Sequence, residues 1–407
     1  MKRRRFLTQT ALFGASTLAA VGAEGWLWKT SAQAAELPRL VVVMLRGAVD
    51  GLNVVVPYQD DEYYRARPSI AIAKPGENEG VFDLDGQFGL HPALEALMPQ
   101  WEAGNLAFVH ATGSPDETRS HFEAQYYLEN GIPGDKSTDN GWLNRLLGTL
   151  PNNSATQGLN ISTGGVLPLI FSGQQSVSNL RVDGSGNPQL ASDQTRLQEA
   201  FDQLYANNDR LGQIYREGRE AREILERELS SEEMQASRGA PTPEKFVNTT
   251  RSVARLMTGD TGIQVAFLEL GGWDTHVNQR GVLNRQLARL GNGLAVLADE
   301  LGPVYDNTTV VVMSEFGRRI VENGNNGTDH GHGNAMWIMG GGVRGRQVYG
   351  SWPGLGTEAR YDNRDLAITT DFRDVLSSLL SQQFGLNGSA LAQVFPGYQQ
   401  RDVLTLL

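Results

Sequence analysis

The sequence has no cysteine, only six histidines, and fewer basic than acidic residues. Without cysteine neither a disulfide nor a thiolate–metal bond can form. Any metal must be held by Asp, Glu, His or other oxygen donors. Lys and Arg number 35 against 46 Asp and Glu, a formal net charge of −11. An acidic body lacks the basic surface that phosphate backbones require, so nucleic acid is not expected as a partner. Long apolar runs are missing too. The run from Ala11 to Val21 is too short, and too rich in Ala, Gly and Thr, to give a stable membrane span. Glycine is abundant, at 47 of 407 residues, which points to many loops. This length accommodates either two domains or one large α/β domain with insertions.

Residues 1–34 read as an export signal. Arg3-Arg4-Arg5-Phe6-Leu7 fits the twin-arginine pattern of two arginines, any residue, and two apolar residues. The Ala11–Val21 run follows, and Ala32-Gln33-Ala34 supplies small residues for cleavage. The expectation is a periplasmic or secreted protein that meets the twin-arginine export machinery. The signal carries a net +4, so its removal takes the chain from −11 to −15.

Arg39 to Leu45, RLVVVML, is a short β-branched run that reads as a buried strand. Asp50 follows it closely, flanked by glycine, where it is either a turn cap or a site residue. Leu106 to His110 is a second buried strand, and Ser120 to Glu129 a helix that stops at Gly131. Ser120 at its start is either an N-cap or a group placed where free N–H groups favour an anion. His91 reads as a surface or capping histidine, and His110 as a site residue or a satisfied one. Residues 193–258 read as a helical insertion, with a dense charge run from Arg210 to Glu233. Alternation then becomes regular: strand Ile263 to Leu270, helix Val282 to Leu301, strand Val310 to Met313, strand Ala335 to Met339 and helix Asp371 to Phe384. That order implies a mostly parallel sheet covered on both faces, a three-layer αβα sandwich spanning residues 35–407.

The chemistry gathers after the strands. Gly271-Gly272-Trp273-Asp274-Thr275-His276 leaves one strand, and Glu315 stands at the end of another. The loop beyond it closes with Asp329, His330, Gly331, His332 and Gly333. A parallel sheet brings such exits to one edge, so Asp50, Ser120, Asp274, His276, Glu315, His330 and His332 can converge from distant parts of the chain. Acid and imidazole among glycines suit a metal or phosphoryl site.

The set RGAVDGLNVVVPY, TRSHFEAQ, GGWDTH, SEFGRR and TDHGHG resembles the bacterial exported family called domain of unknown function 1501. That family is placed in the alkaline phosphatase-like, sulfatase-like superfamily. The resemblance implies one or two divalent ions, Zn foremost, with Mn, Ca or Mg as alternatives. It implies Asp50, Asp274, His276, Glu315 and either His330 or His332 as ligands, and Ser120 as nucleophile. Arg46, Arg119 or Arg318 would clamp a phosphoryl group. Phe316 stands where the superfamily usually has a histidine, which bears on the second ion. No Cys/Ser-x-Pro-x-Arg pattern is present, so a formylglycine sulfatase is not expected. The implied function is metal-dependent hydrolysis of phosphate or related esters, on a small-molecule or polysaccharide-derived substrate. The alternative is a non-catalytic envelope binding protein with a structural or vestigial metal site.

Overall fold

In the computed structural model the described residues are 37–151, 157–162, 167–182, 188–189, 237–238, 240–259 and 263–407. The expected export signal, residues 1–34, and the charge run from Arg210 to Glu233 lie outside them.

The β-branched run at the start becomes β1, Arg39–Leu45, buried along its whole length. Its side chains alternate between two apolar layers: Val41, Val43 and Leu45 face one core, and Leu40, Val42 and Met44 face the other. Such a two-sided strand must lie at the centre of a sheet covered on both faces. The sheet has ten strands among the described residues. After β1 these are β2 (Leu106–Gly113), β3 (Gln157–Ser162), β4 (Val177–Val182), β5 (Pro188–Gln189), β6 (Ile263–Leu270), β7 (Thr308–Ser314), β8 (Asn334–Met339), β9 (Val348–Tyr349) and β10 (Thr370–Asp371). Their order is β9-β2-β8-β7-β1-β6-β3-β4-β5, with β10 also on β2.

The sheet is mostly parallel, with one exception at an edge, where β5 runs antiparallel to β4, and one near the middle. β8 runs antiparallel to both neighbours, β7 and β2. The sequence AMWIM could not reveal this, because a strand buried on both faces is apolar whichever way it runs. The direction matters for the site: the loop leaving β7 re-enters β8 at the same sheet edge.

Helices cover both faces. On one, α3 (Phe246–Thr258) and α4 (Gln279–Leu301) pack together. Leu283, Leu287, Leu290, Leu294, Leu297 and Leu301 of α4 enter the core, each contributing about 1.5–3 kcal/mol by leaving water. The part of the expected insertion within α3 is thus a core layer helix. On the other face, α2 (Trp142–Thr149) and α5 (Phe372–Phe384) supply Trp142, Leu146, Phe372, Val375 and Leu379. α1 (His121–Asn130) ends at Gly131, whose φ of 71° gives the left-handed cap expected of glycine. No helix among the described residues is long and apolar enough to cross a membrane.

The register sets the site. Leu45 of β1 pairs level with Ser314 of β7 and with Leu270 of β6. Three central strands therefore end at one height, and their exit loops start side by side.

Candidate metal centre

Each exit loop is fixed by its backbone before it offers a side chain. Arg46 N–H donates to the Leu270 carbonyl at 2.7 Å, and Gly47 N–H to Glu315 Oε1 at 2.7 Å. Gly47 has φ of +113°, and a Cβ there would sit 2.7 Å from the backbone nitrogen of Asp274. Only glycine allows both that conformation and that approach. The loop after β7 folds on itself through a short ladder. Gly317 N–H donates to the His332 carbonyl, Gly331 N–H to Gly317, and Arg319 N–H to Asp329, each at 2.9 Å. This hairpin carries His330 back over the sheet edge.

Three imidazoles and one carboxylate meet there. His121, the first residue of α1, places Nε2 at 2.9 Å from His330 Nε2. His276 Nε2 lies 3.0 Å from the same atom. Asp274, 1% exposed, faces all three: Oδ1 is 3.0 Å from His276 Nε2 and 3.3 Å from His330 Nε2, and Oδ2 is 3.5 Å from His121 Nε2. His121, Asp274 and His330 each offer a donor atom within 4.8 Å of the others.

The far side of every ring is tied. His121 Nδ1 is 2.7 Å from Glu315 Oε1, His276 Nδ1 is 3.4 Å from Asp329 Oδ1, and His330 Nδ1 is 3.0 Å from the Arg119 carbonyl. A carbonyl only accepts, so His330 carries its proton on Nδ1 and presents a lone pair from Nε2. The carboxylate at His121 Nδ1 likewise holds a proton on that nitrogen. The 2.9 Å contact between the two Nε2 atoms is satisfied either by a proton on His121 Nε2 or by a cation between the rings. One divalent ion would draw on His121, Asp274 and His330, whose donor atoms lie within 4.8 Å of one another, with His276 Nε2 beside them at 3.0 Å from His330 Nε2. Acceptors holding the outer nitrogens are the usual support of histidine ligands. The residues therefore fit a metal, and nitrogen with oxygen donors suits Zn²⁺.

The electrostatics agree. Burial disfavours charge on Asp274, yet His121, His276, His330 and Arg318 together hold its carboxyl far below the usual range. Burial likewise opposes charge on His121, but Asp274 and Glu315 overcome it and raise the imidazole to about 9. Glu315 falls to about 2, because hydrogen bonds from His121 and Gln125 outweigh its burial. The cluster is built around positive charge.

The structure brings together Asp274, His276 and His330 of the residues expected from sequence, and adds His121. Its motif TRSHFEAQ is visible in the sequence, but Ser120 drew the chemical reading to itself. The partner of His121, Glu315, is 194 positions away, and no local signal marks it. Glu315 supports His121 rather than joining the converging atoms. Its Oε1 accepts from Gly47 N–H, Gln125 Nε2 and His121 Nδ1, and its Oε2 lies 2.9 Å from the Ser314 hydroxyl. His332 stands elsewhere, its buried ring stacked on Tyr361 at 4.2 Å, with burial lowering its pKa to about 4. Asp50 is fully buried and bound by Arg67 and Gln279.

The arginines also differ from the clamp expected of them. Arg46 is buried between Glu129 and Glu269, at 2.9 and 2.8 Å. Arg318 is fully buried and donates to the carbonyls of Gly47, Ala48 and Thr328 as well as to Asp274. Both hold the sheet edge together. Arg119, 29% exposed, pairs with Asp362 and Asp365. Ser120 is exposed at the start of α1, and its side chain does not cap the helix. His91 accepts from Ala93 N–H as a helix cap, and His110 bonds the Val55 carbonyl and Ala111 N–H.

Residues 38–395 match the family described as Protein of unknown function (DUF1501). The chain belongs to this family. No curated protein matches the sequence. Among solved structures it is similar to a protein in the alkaline phosphatase superfamily from Vibrio parahaemolyticus. That likeness has 11% identity and a TM-score of 0.43, covering 85% of this chain and 66% of that one. It is also similar to the C-terminal periplasmic domain of EcEptC from Escherichia coli, in a complex with Zn. There the identity is 9% and the TM-score 0.38, covering 75% of this chain and 74% of that one. The lipoteichoic acid synthase LtaP from Listeria monocytogenes follows at 8% identity and a TM-score of 0.39, covering 88% and 78%. Likeness of this degree gives no residue-by-residue correspondence, and the chemistry of the site rests on its own atoms.

Proposed function

We propose that this member of the DUF1501 family is an exported, metal-dependent hydrolase of phosphate or related esters, with Ser120 as nucleophile. The observation that carries the reading is the placement of Ser120. Its hydroxyl is exposed and does not cap its helix, and the next residue is His121, whose Nε2 belongs to the converging set. A divalent ion held by His121, Asp274, His276 and His330 would shield an anionic ester and lower the pKa of a neighbouring hydroxyl.

The chain's own residues supply the rest. Ser120 sits at the N-terminus of the ten-residue α1, where the helix dipole favours negative charge on its oxygen and on an incoming phosphoryl group. Its oxygen attacks phosphorus, the bond to the ester oxygen breaks, and that oxygen leaves with the proton given up by the serine hydroxyl. Water then cleaves the serine–phosphorus bond and restores the hydroxyl. Arg119 is the half-buried guanidinium beside this serine, and it meets a substrate anion by exchanging its contact with Asp362, which is 57% exposed. The twin-arginine pattern in residues 3–7 and the small residues at 32–34 support export. The acidic body and the ester chemistry favour a small-molecule or polysaccharide-derived substrate.

The test is Ser120→Ala, assayed on a broad panel of phosphate and sulfate esters with metal content measured in parallel. Turnover is expected to fall by at least about a hundredfold with metal content unchanged. Turnover equal to wild type on every active ester would remove Ser120 from the chemistry. A wild-type protein that binds metal but turns over no ester in the panel would favour a non-catalytic envelope role.

A further inference from the structure

Of the ligand positions that the resemblance implies, Asp50, Glu315 and position 316 are those the histidine cluster leaves for a second ion. All three positions are closed. Phe316 offers no donor, and its ring lies 4.9 Å from that of His121 and 5.3 Å from that of His330. Glu315 Oε1 accepts from three protein groups, and its Oε2 lies 2.9 Å from the Ser314 hydroxyl, which also reaches the Leu45 carbonyl at 2.6 Å. Asp50 is closed most completely. Its Oδ1 accepts from Arg67 at 3.1 Å, and its Oδ2 from Arg67 and from Gln279 Nε2.

The Arg67 side is as fully committed. Its guanidinium is 0% exposed. Nε donates to the Ile320 carbonyl at 2.9 Å, one terminal nitrogen to Asp50 and to Asn53 Oδ1, and the other to Asp50 and the Arg319 carbonyl. A guanidinium has five N–H groups, and these bonds use all five. Tyr63 completes the surroundings by donating to Asn53 Oδ1 at 2.8 Å. Arginine stays charged at any working pH, so Asp50 has a permanent positive partner inside the protein.

We infer that this protein holds a single divalent cation, and that the Arg67 guanidinium, buried against Asp50, takes the place of a second. The inference rests on the reading that His121, Asp274, His276 and His330 hold the one ion. It also gives the Asp50–Arg67 pair a role. Gln279, which donates to Asp50, accepts through Oε1 from Thr275 at 2.9 Å and from Thr328 at 2.6 Å. Thr275 lies between Asp274 and His276, and Thr328 two residues before His330. The pair is therefore a positioning element that braces both ligand loops through one buried amide.

The experiment is metal stoichiometry by elemental analysis, with calorimetric titration of chelator-treated full-length protein by Zn²⁺. Wild type is expected to bind one Zn²⁺ per chain, and His330→Ala to lose it. The double variant Asp50→Asn with Arg67→Met removes both charges at once and so leaves neither buried alone. It is expected to keep one ion, with affinity changed less than the roughly 10–100-fold typical of losing a ligand's direct hydrogen-bond partner. Two ions per wild-type chain would overturn the inference and leave the histidine centre standing. Loss of the ion in the double variant, with folding retained by circular dichroism, would mean that the pair is indispensable to the first ion rather than a substitute for a second, and would also overturn the inference. No ion in wild type would overturn the centre and the inference together. Should the double variant not fold, the wild-type stoichiometry decides alone.

Discussion

His121 Nε2 lies 2.9 Å from His330 Nε2, across 209 positions of sequence. Neither nitrogen can turn away, because each ring is anchored through Nδ1 to Glu315 or to the Arg119 carbonyl. The contact is satisfied by a proton on His121 Nε2 or by a cation between the rings, and the predictions for metal follow from the second case.

Metal loading should stabilise the fold. Zn²⁺ at about a hundred times its dissociation constant adds roughly 2.7 kcal/mol, read as a rise of several degrees in Tm by scanning calorimetry. EDTA should reverse the rise, and His330→Ala should not show it. An equal Tm with and without Zn²⁺ in wild type would count against the centre.

Glu315 would act on a bound ion through His121. Glu315→Gln keeps the shape but replaces a carboxylate acceptor by an amide at 2.7 Å from His121 Nδ1. Zn²⁺ affinity should fall by roughly 10–100-fold, measured by competition with a chelating dye. An unchanged affinity would mean that the carboxylate does not orient the ring.

Gly47→Ala should damage both stability and site. The residue needs a left-handed φ, and an added Cβ would press on the Asp274 backbone nitrogen at 2.7 Å. Urea unfolding is expected to show a loss of at least about 1–3 kcal/mol. Zn²⁺ binding should weaken too, because the pushed loop carries Asp274 and His276. Wild-type stability would contradict the close approach.

Acid should destabilise the protein through His110. Burial lowers its pKa from 6.5 to about 4, and both ring nitrogens are engaged as the neutral form requires. Between those pH values the unfolded chain takes up a proton that the folded chain refuses. This stability is therefore complete above pH 6.5, falls as pH drops toward 4, and levels off below. It amounts to on the order of 3 kcal/mol. His110→Phe should flatten the slope of unfolding free energy against pH by about one proton in that window, whatever its effect on stability at neutral pH.

Central elements were legible because burial on two faces leaves a strong imprint. RLVVVML gave β1 to the residue, and β6, Ile263–Leu270, was equally plain. Asp274, His276 and His330 stood out as acid and imidazole among glycines at strand exits. The remainder depends on contacts that no local pattern encodes. Asp50 could not be told from a ligand without Arg67, which reaches it from the end of a separate short helix. Arg46 and Arg318 looked like clamps because their buried partners, Glu269 and Asp274, lie 223 and 44 positions away. His332 shared a motif with His330, and its ring instead found Tyr361.

The antiparallel course of β8 has a temporal consequence. His330 reaches the sheet edge only when the hairpin after β7 has closed and β8 has entered between β7 and β2. His121 waits on α1, and Asp274 and His276 on the exit of β6. No partial chain ending before residue 330 contains the whole ligand set. An ion held by these residues would therefore be taken up only once the chain beyond residue 330 has folded.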